Sequence, residues 1–120
     1  NIIILKYKWS ILIYNLLDNA IKFTNKNGKI ILKTEELEQK AYISIIDNGI
    51  GMKEDEQARI FDRLYKADSS RGMDKTGSGL GLSIVKEFIK AHNEEIFVKS
   101  TLGKGSTFTF TLKLYNKNKK

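Results

Sequence analysis

The sequence lacks cysteine and proline altogether, and it contains one histidine and one tryptophan. The absence of cysteine excludes disulfide bonds and thiolate metal sites, and it suits a reducing compartment. Long hydrophobic runs are also missing. None approaches the roughly 20 residues that span a bilayer, and the opening run Ile2–Leu5 is too short for the core of a signal peptide. We therefore expect a soluble chain.

The length and composition are those of one domain with a modest core. The chain has 120 residues, of which 41% are hydrophobic, and domains commonly have roughly 100–150 residues. No internal repeat and no linker rich in proline, glycine and serine divides it. Because the chain begins inside an apolar, strand-like run, we expect residues 1–120 to be one domain of a longer protein.

The formal net charge of +7 does not predict a nucleic-acid interface. Part of the positive charge lies in the lysine-rich tail 113–120, and the remaining lysines and arginines are dispersed. No stripe of interleaved aromatic and basic residues is present. We interpret most of these charges as solvated surface, with local phosphate binding as the functional alternative and no nucleic acid as a partner.

The spacing of apolar residues predicts an α+β fold, in which a mostly antiparallel sheet carries helices on one face. The predicted strands are Ile2–Leu5, Lys29–Thr34, Ala41–Ile46, Glu95–Ser100 and Thr107–Leu114. The predicted helices are Trp9–Thr24, Glu54–Phe61 and Leu80–Ala91. The charged segment Glu35–Lys40 is interpreted as a turn, and Asp62–Thr76 as a mobile loop of functional length.

In the last strand, alternation predicts which side chains face the core. The side chains expected to face inward are Phe108, Phe110, Leu112 and Leu114. Those expected to face outward are Thr107, Thr109, Thr111 and Lys113.

The first long helix carries an unusual polar face. At 100° per residue, Asn15, Asn19 and Lys22 fall in one narrow sector with Asp18 beside them. The opposite face is apolar, with Ile13, Leu16, Leu17, Ala20 and Ile21. Asparagine is a mediocre helix former, so two asparagines one turn apart indicate amides that point at a ligand rather than at solvent. An amide oxygen is a reasonable Mg²⁺ ligand when phosphates supply the negative charge.

Two glycine-rich segments complete a candidate nucleotide site. Asp47–Met52 (DNGIGM) places a carboxylate before two glycines, and Gly77–Ser83 (GSGLGLS) places three glycines before an apolar helix, whose N-terminus can face phosphate. A dinucleotide fingerprint would require glycine at Leu82, and Gly103–Ser106 does not fit a P-loop. Each cluster alone is compatible with a tight turn, but their order along the chain favours a nucleotide.

The chain resembles the catalytic, ATP-binding domain of bacterial sensor histidine kinases, within the superfamily that includes DNA gyrase, the Hsp90 chaperone and MutL. The resemblance extends over essentially every residue. The segments that resemble the family's N, G1, F and G2 boxes are, in order, Asn15–Thr24, Asp47–Met52, Ile60–Lys66 and Gly77–Leu82. The ending Gly103–Thr111 resembles the family's terminal hairpin. The resemblance implies the two-layer Bergerat ATP-binding fold, with ATP and Mg²⁺ as cofactors.

The resemblance also implies residue roles. Asp47 would accept a hydrogen bond from the adenine amine, aided by Thr107 through water, and Asn19 would bind Mg²⁺. Asn15, Lys22 and Arg63 would be catalytic, with Lys66 as a further phosphate contact under a lid at 62–76. The implied ATP-binding set is Asn15, Asn19, Lys22, Asp47, Gly49, Gly51, Met52, Phe61, Arg63, Lys66, Gly77, Ser78, Gly79, Leu80, Gly81, Leu82 and Thr107.

The implied activity is transfer of the ATP γ-phosphate to a histidine on the dimerisation domain of the same protein, for relay to a response regulator. The domain would be cytoplasmic, and its parent a homodimer associated with the bacterial membrane. His92 is interpreted as a helix-end packing residue rather than the acceptor. Where the family has a His-Gly-Gly turn this chain has His92–Glu95, so a strained or longer corner is expected.

Three alternatives remain. A hydrolytic ATPase is disfavoured because an amide at Asn15 cannot act as general base. A non-catalytic binding module is disfavoured by the complete set of motif residues. Serine kinases that act on anti-sigma antagonists share these motifs, and the sequence upstream of this domain distinguishes them.

Overall fold

The computed structural model describes residues 2–62 and 81–114, with side chains in the first helix from Trp9 onward. Its helices are α1 (Ile2–Phe23), α2 (Glu54–Gln57) and α3 (Gly81–Ala91). Its strands are β1 (Ile30–Leu37), β2 (Lys40–Asp47), β3 (Ile96–Thr101) and β4 (Gly105–Lys113). In these ranges the sheet order is β1-β2-β4-β3, and each neighbouring pair is antiparallel. The predicted α+β class is confirmed.

The core lies between one face of the sheet and the helices. Alternate residues of the two central strands are buried there, because successive strand residues point to opposite faces. These sheet residues are Ile43, Ile45, Phe108 and Phe110, and they pack with Leu12, Leu16 and Ala20 of α1 and Val85 and Ile89 of α3. Trp9 stacks on Phe110 with ring centroids 5.9 Å apart, which ties α1 to β4. In the described ranges no helix combines the length and apolarity that crossing a bilayer requires.

The predicted strand Ile2–Leu5 is wrong, because these residues form the first part of α1. A short apolar run does not by itself distinguish a strand from a buried helix segment. No glycine or proline separates this run from the helical pattern that begins at Trp9. The helix therefore continues upstream without interruption.

The predicted turn Glu35–Lys40 is also too long. Leu37 pairs with Lys40, so only Glu38 and Gln39 connect β1 to β2. Both residues have positive φ, 50° and 65°. The type I′ turn of a two-residue β-hairpin loop requires positive φ at both positions. A type I′ turn normally contains asparagine, aspartate or glycine. Because Glu38 and Gln39 are none of these, the sequence carries no indication of a two-residue turn.

Helix α2 ends at Gln57, earlier than the predicted end at Phe61. Beyond it the backbone hydrogen bonds shorten to the i→i−3 type, from Arg59 N to Glu56 O and from Ile60 N to Gln57 O. The segment therefore continues as tight turns rather than as α-helix.

The corner after α3, which was expected to be strained or longer, contains one residue in the left-handed conformation. Asn93 adopts the left-handed conformation, with φ of 58°, and Glu94 N donates to Ile89 O while Asn93 N donates to Lys90 O. This is the Schellman arrangement, in which asparagine is the usual substitute for glycine. Asn93 therefore fills the position where the family turn has glycine.

Thr111 is buried, although alternation placed it outward. Its hydroxyl donates to Glu94 Oε1 at 2.7 Å and accepts from Glu95 N at 3.0 Å. Burial alone raises the pKa of Glu94, but the hydrogen bonds from Thr111 and Lys113 N and the charge of Lys40 outweigh it, so the pKa lies below its ordinary value. The corner that follows α3 covers this end of β4.

Candidate functional site

The candidate site lies at the end of β2, where the last residue on the buried face of the strand is an aspartate. Asp47 is the last residue of β2 and continues the inward stripe of Ile43 and Ile45. It lies opposite Ser106, near the start of β4, and both residues are buried. Hydrophobic side chains thus lead directly to a buried polar pair at one end of the sheet.

The hydrogen bonds that Asp47 receives fix one of its two oxygens. Oδ1 accepts from Gly49 N at 2.9 Å and from Ser106 N at 3.3 Å. Burial raises the pKa of Asp47, and these two backbone bonds oppose the shift only in part. In the described ranges Oδ2 accepts no hydrogen bond. A buried acceptor with an oxygen to spare is suited to an external donor.

The prediction that Thr107 assists Asp47 is not supported by the strand register. Thr107 pairs with Ile46, whereas Ser106 pairs with Asp47. Residues directly opposite in an antiparallel pair share a face, and neighbours along a strand point to opposite faces. Thr107 therefore faces away from Asp47. The residue that the sequence analysis missed is Ser106, which the alternation from Phe108 and Phe110 could have identified.

The glycines of Asp47–Met52 serve close packing of the backbone. A Cβ on Gly49 would collide with the carbonyl oxygen of Phe23 at the end of α1, and one on Gly51 with the carbonyl oxygen of Thr101. Ile50 N also donates to Phe23 O at 3.1 Å. The segment is therefore held between α1 and the β3–β4 turn, and both glycines are needed for this close packing of backbone on backbone.

The sequence predicted that the polar residues and the packed residues of α1 lie on opposite faces. In the structure the two groups are not separated in this way. Asn15 lines an open pocket of about 150 Å³ between α1 and α3, together with Ile84 and Phe88. Ile21, which was assigned to the core face, is 61% exposed. The difference arises because α1 contacts both the sheet and α3, so it has two packed sides rather than one.

Asn19 provides a donor without a partner. Its Nδ2 is buried and forms no hydrogen bond within the described ranges, which is unusual because buried polar groups are nearly always paired. A rotation of about 180° about χ2 exchanges the two amide atoms, so this position can equally present oxygen. A buried amide without a partner can donate to an acceptor such as a phosphate oxygen or a water, or can present Oδ1 to a cation. In the same ranges no cluster of histidine and acidic side chains could hold a metal.

Lys22 is engaged within α1. Its Nζ lies 3.1 Å from Asp18 Oδ2, one turn earlier, and both side chains are partly exposed. Lys22 precedes Phe23, the last residue of α1, and the carbonyl oxygen of Phe23 accepts a hydrogen bond from Ile50 N in the segment that follows Asp47. Lys22 can reach a phosphate only by leaving or sharing its ion pair with Asp18.

Phe61 lies between β4 and α3. Phe61 meets Phe108 edge to face at 6.1 Å, and Lys86 Nζ lies 5.3 Å from the Phe61 ring. Gly81 and Leu82 form the first turn of α3. The predicted residues that lie outside the described ranges are Arg63, Lys66, Gly77, Ser78, Gly79 and Leu80, together with all but the first residue of the predicted lid at 62–76.

Comparison with known proteins identifies relatives of this chain. The model of the histidine kinase-, DNA gyrase B- and HSP90-like ATPase family matches residues 8–116. The chain is 40% identical over 100 residues to the sensor histidine kinase WalK of Bacillus subtilis, which covers 82% of this chain and 16% of WalK. It is 46% identical over 92 residues to the histidine-protein kinase ArlS of Staphylococcus aureus, covering 77% of this chain and 20% of ArlS. The chain thus spans less than a quarter of these relatives.

Solved structures show the same fold. A mycobacterial sensor histidine kinase, MprB, superposes with a TM-score of 0.78 at 29% identity, over 86% of this chain and 70% of that one. Full-length ShkA, solved in complex with AMPPNP, superposes with a TM-score of 0.70 at 30% identity, over 84% of this chain and 20% of ShkA. Because the family model matches nearly the whole chain and the solved kinase domains share its fold, the chain belongs to the histidine kinase-, DNA gyrase B- and HSP90-like ATPase family.

Proposed function

We propose that this domain binds Mg²⁺-ATP and transfers the γ-phosphate to a histidine on the dimerisation domain of its own sensor kinase. The phosphoryl group then passes to the receiver domain of a response regulator. The parent is proposed to be a membrane-associated homodimer with this domain in the cytoplasm. The observation that carries the proposal is Asp47, a buried carboxylate with one oxygen held by two backbone N–H groups and the other available to a ligand.

Adenine recognition follows from that geometry. The exocyclic amine of adenine is a hydrogen-bond donor, and Asp47 Oδ2 is an acceptor of matching sign. Because the carboxylate is buried, the bond would form where water competes poorly, and a hydrogen bond to a charged group is stronger than a neutral one. A guanine presents a carbonyl oxygen at the same position, so an ionised Asp47 selects against it.

The phosphates would lie towards α1. Asn15 and Asn19 are one turn apart, and Lys22 follows in the same sector. Mg²⁺ prefers oxygen ligands and keeps several waters, so the Asn19 amide can complete its shell, and the cation would neutralise charge on the triphosphate. We assign Asn15 and Lys22 to orientation of the phosphates, with Arg63 as a further cation. The protein's contribution is then positioning and electrostatics, as in phosphoryl transfer generally.

The acceptor is proposed to lie outside this domain. His92 is the single histidine of the chain, and its Nδ1 lies 2.9 Å from Phe88 O. Its ring also packs against Trp9 and Phe88, with centroids 5.4 and 4.4 Å away. The residue completes the C-terminal end of α3, as predicted. This packing at the end of α3 supports a structural role for His92 rather than the role of phosphoacceptor.

The test is phosphorylation in trans. The domain alone is expected to bind ATP but neither to label itself nor to hydrolyse ATP at an appreciable rate, because Asn15 cannot act as general base. Addition of a histidine-bearing dimerisation domain from the same kinase should yield an acid-labile, base-stable phosphohistidine on that partner. Transfer should be faster in the joined chain, since a tether raises the effective concentration.

The control is His92→Phe, which should leave transfer to the partner intact. An acid-stable phosphoserine on a different protein would replace this proposal with the serine-kinase alternative. Steady hydrolysis without transfer would instead indicate an ATPase.

A second expected result concerns the metal. Asn19→Ala should remove most of the Mg²⁺ dependence of ATP binding while adenosine, which has no phosphates, binds nearly as before. Isothermal calorimetry with and without Mg²⁺ measures both. Asn48→Ala is a suitable control, because Asn48 is an exposed asparagine whose Oδ1 accepts from Lys29 N. An equal loss of adenosine affinity in the Asn19 variant would show a folding defect and contradict the metal assignment.

A further inference from the structure

Behind the pair formed by Asp47 and Ser106 lies a third polar residue, Ser100 of β3. Its hydroxyl oxygen accepts from Met52 N at 2.8 Å, donates to Gly105 O at 3.0 Å and lies 2.7 Å from Ser106 Oγ. A serine hydroxyl has one proton and two lone pairs. Since the proton goes to Gly105 O, the Ser106 hydroxyl must be the donor to Ser100. The hydrogen-bonding capacity of Ser100 is then complete.

These three bonds join the two segments that surround Asp47. Met52 ends the glycine segment that follows Asp47, and that segment also contains Gly49, a donor to Oδ1. Ser106 supplies the other donor to the same oxygen. Ser100 thus contacts both segments through one side-chain atom, although it does not touch Asp47 itself.

Ser100 is in turn held by Gln57. The amide oxygen of Gln57 accepts from Ser100 N at 2.9 Å, and its Nε2 donates to Ser100 O at 2.9 Å and to Met52 O at 3.3 Å. Strand β3 is at the edge of the described sheet, so this amide occupies the place of a neighbouring strand. It satisfies edge groups that would otherwise be open. Gln57 therefore fixes the backbone from which the Ser100 hydroxyl projects.

We propose that Ser100 is a positioning residue for adenine recognition: it holds Met52 and Ser106 so that their segments fix Asp47 Oδ1 and leave Oδ2 aimed at the exocyclic amine. The inference rests on the proposed binding of ATP through Asp47. It adds a residue that does not contact nucleotide but sets base selectivity. Removal of the hydroxyl leaves Met52 N and the Ser106 hydroxyl without their partner, so both segments can shift away from Asp47.

The test compares ATP with purine riboside triphosphate, which lacks the 6-amino group and cannot donate to Asp47. Calorimetry with the whole 120-residue chain gives both affinities. Ser100→Ala should weaken ATP binding about fivefold to tenfold, the order of one ordinary hydrogen bond, and should change analogue binding much less. The preference for ATP over the analogue should therefore fall. Ser100→Thr keeps the hydroxyl and should restore the preference.

The matched control is Ser44→Ala. Ser44 Oγ lies 2.9 Å from Thr109 Oγ1, a hydroxyl pair on the opposite face of the same sheet, and its loss should leave the preference unchanged. If Ser100→Ala does not fold, Gln57→Ala provides the same comparison by releasing the Ser100 backbone. Equal loss of both ligands, or no loss of either, would overturn the inference.

A spectroscopic measurement separates this inference from the proposed function. In the nucleotide-free protein, Ser100→Ala should shift the amide proton of Ser106 upfield because its bond to Asp47 lengthens. Ser44→Ala should leave that resonance in place. If the wild-type protein binds no ATP, the proposed function is wrong. The shift of the Ser106 amide proton would still show whether Ser100 controls the hydrogen bond between Ser106 and Asp47. An unmoved Ser106 amide in Ser100→Ala contradicts the coupling itself.

Discussion

Asp47→Asn is expected to weaken ATP binding by about 10- to 150-fold, the equivalent of about 1.5–3 kcal/mol for a hydrogen bond to a charged group. Asparagine keeps the shape of the side chain, and its oxygen can still accept from Gly49 N and Ser106 N. The other atom becomes an amide donor, which would face the adenine amine donor to donor. Calorimetry on the variant measures the loss, and purine riboside triphosphate should be affected less than ATP.

The same substitution is expected to raise the melting temperature of the nucleotide-free protein. Burial raises the pKa of Asp47 above its ordinary value, which means that the ionised carboxylate destabilises the folded state relative to the neutral one. The stability contribution of Asp47 therefore falls as pH rises from the ordinary pKa through the raised one. Asparagine carries no charge, so the variant should lose this pH dependence.

ATP binding should show the opposite pH trend. The acceptor role requires the ionised carboxylate, so affinity should fall as pH drops through the raised pKa of Asp47. Titration of the nucleotide lowers the affinity of both the wild-type protein and Asp47→Asn. The additional loss of affinity that only the wild-type protein shows is therefore due to Asp47. Unchanged affinity in Asp47→Asn, in a protein that melts cooperatively, would remove Asp47 from the site.

Gly51→Ala is expected to destabilise the domain by about 2–6 kcal/mol, the largest stability effect that we predict. Gly51 has φ of 68°, and a side chain in this region costs about 1–3 kcal/mol. Its Cβ would also collide with the carbonyl oxygen of Thr101 and approach Leu102. Backbone atoms cannot move aside as a flexible side chain can, so overpacking adds about 1–3 kcal/mol. Urea denaturation measures the change.

Gly103→Ala separates the two causes. Gly103 has a similar φ of 83°, but a Cβ there would meet nothing within 4 Å. It should therefore show the conformational cost alone, about 1–3 kcal/mol. Equal destabilisation by the two variants would mean that the close approach of Gly51 to Thr101 contributes nothing.

The successes of the sequence analysis rest on local patterns. Helix α3 and the part of α1 from Trp9 onward follow from apolar spacing, and Asp47 was proposed as a base-reading acceptor because it stands directly before two glycines. Its errors arose where local signals were absent. The Glu38–Gln39 turn carries neither glycine nor asparagine, and the run Ile2–Leu5 fits either a strand or a helix.

The errors within the site have a different origin. Thr107 and Ser106 are adjacent polar residues, and the choice between them depends on which residue lies opposite Asp47. Asn15 was predicted on an open polar face because one packed side was assumed for α1, whereas α3 covers a second side. Ser100 and Gln57 carried no sequence signal, since serine and glutamine in these settings are commonly solvated.

The sequence by itself determined the class of fold, the order of the motifs and the carboxylate at the end of β2, because periodicity and glycine spacing are properties of neighbouring residues. Only the tertiary structure decided which oxygen of Asp47 is fixed, which hydroxyl lies beside it and why Gly49 and Gly51 must be glycine. Those answers depend largely on contacts between residues that are distant in the sequence: Phe23 with Gly49, Gly51 with Thr101, and Asp47 with Ser106. Hydrogen bonds and steric contacts act through space, so packing and register, rather than spacing along the chain, establish them.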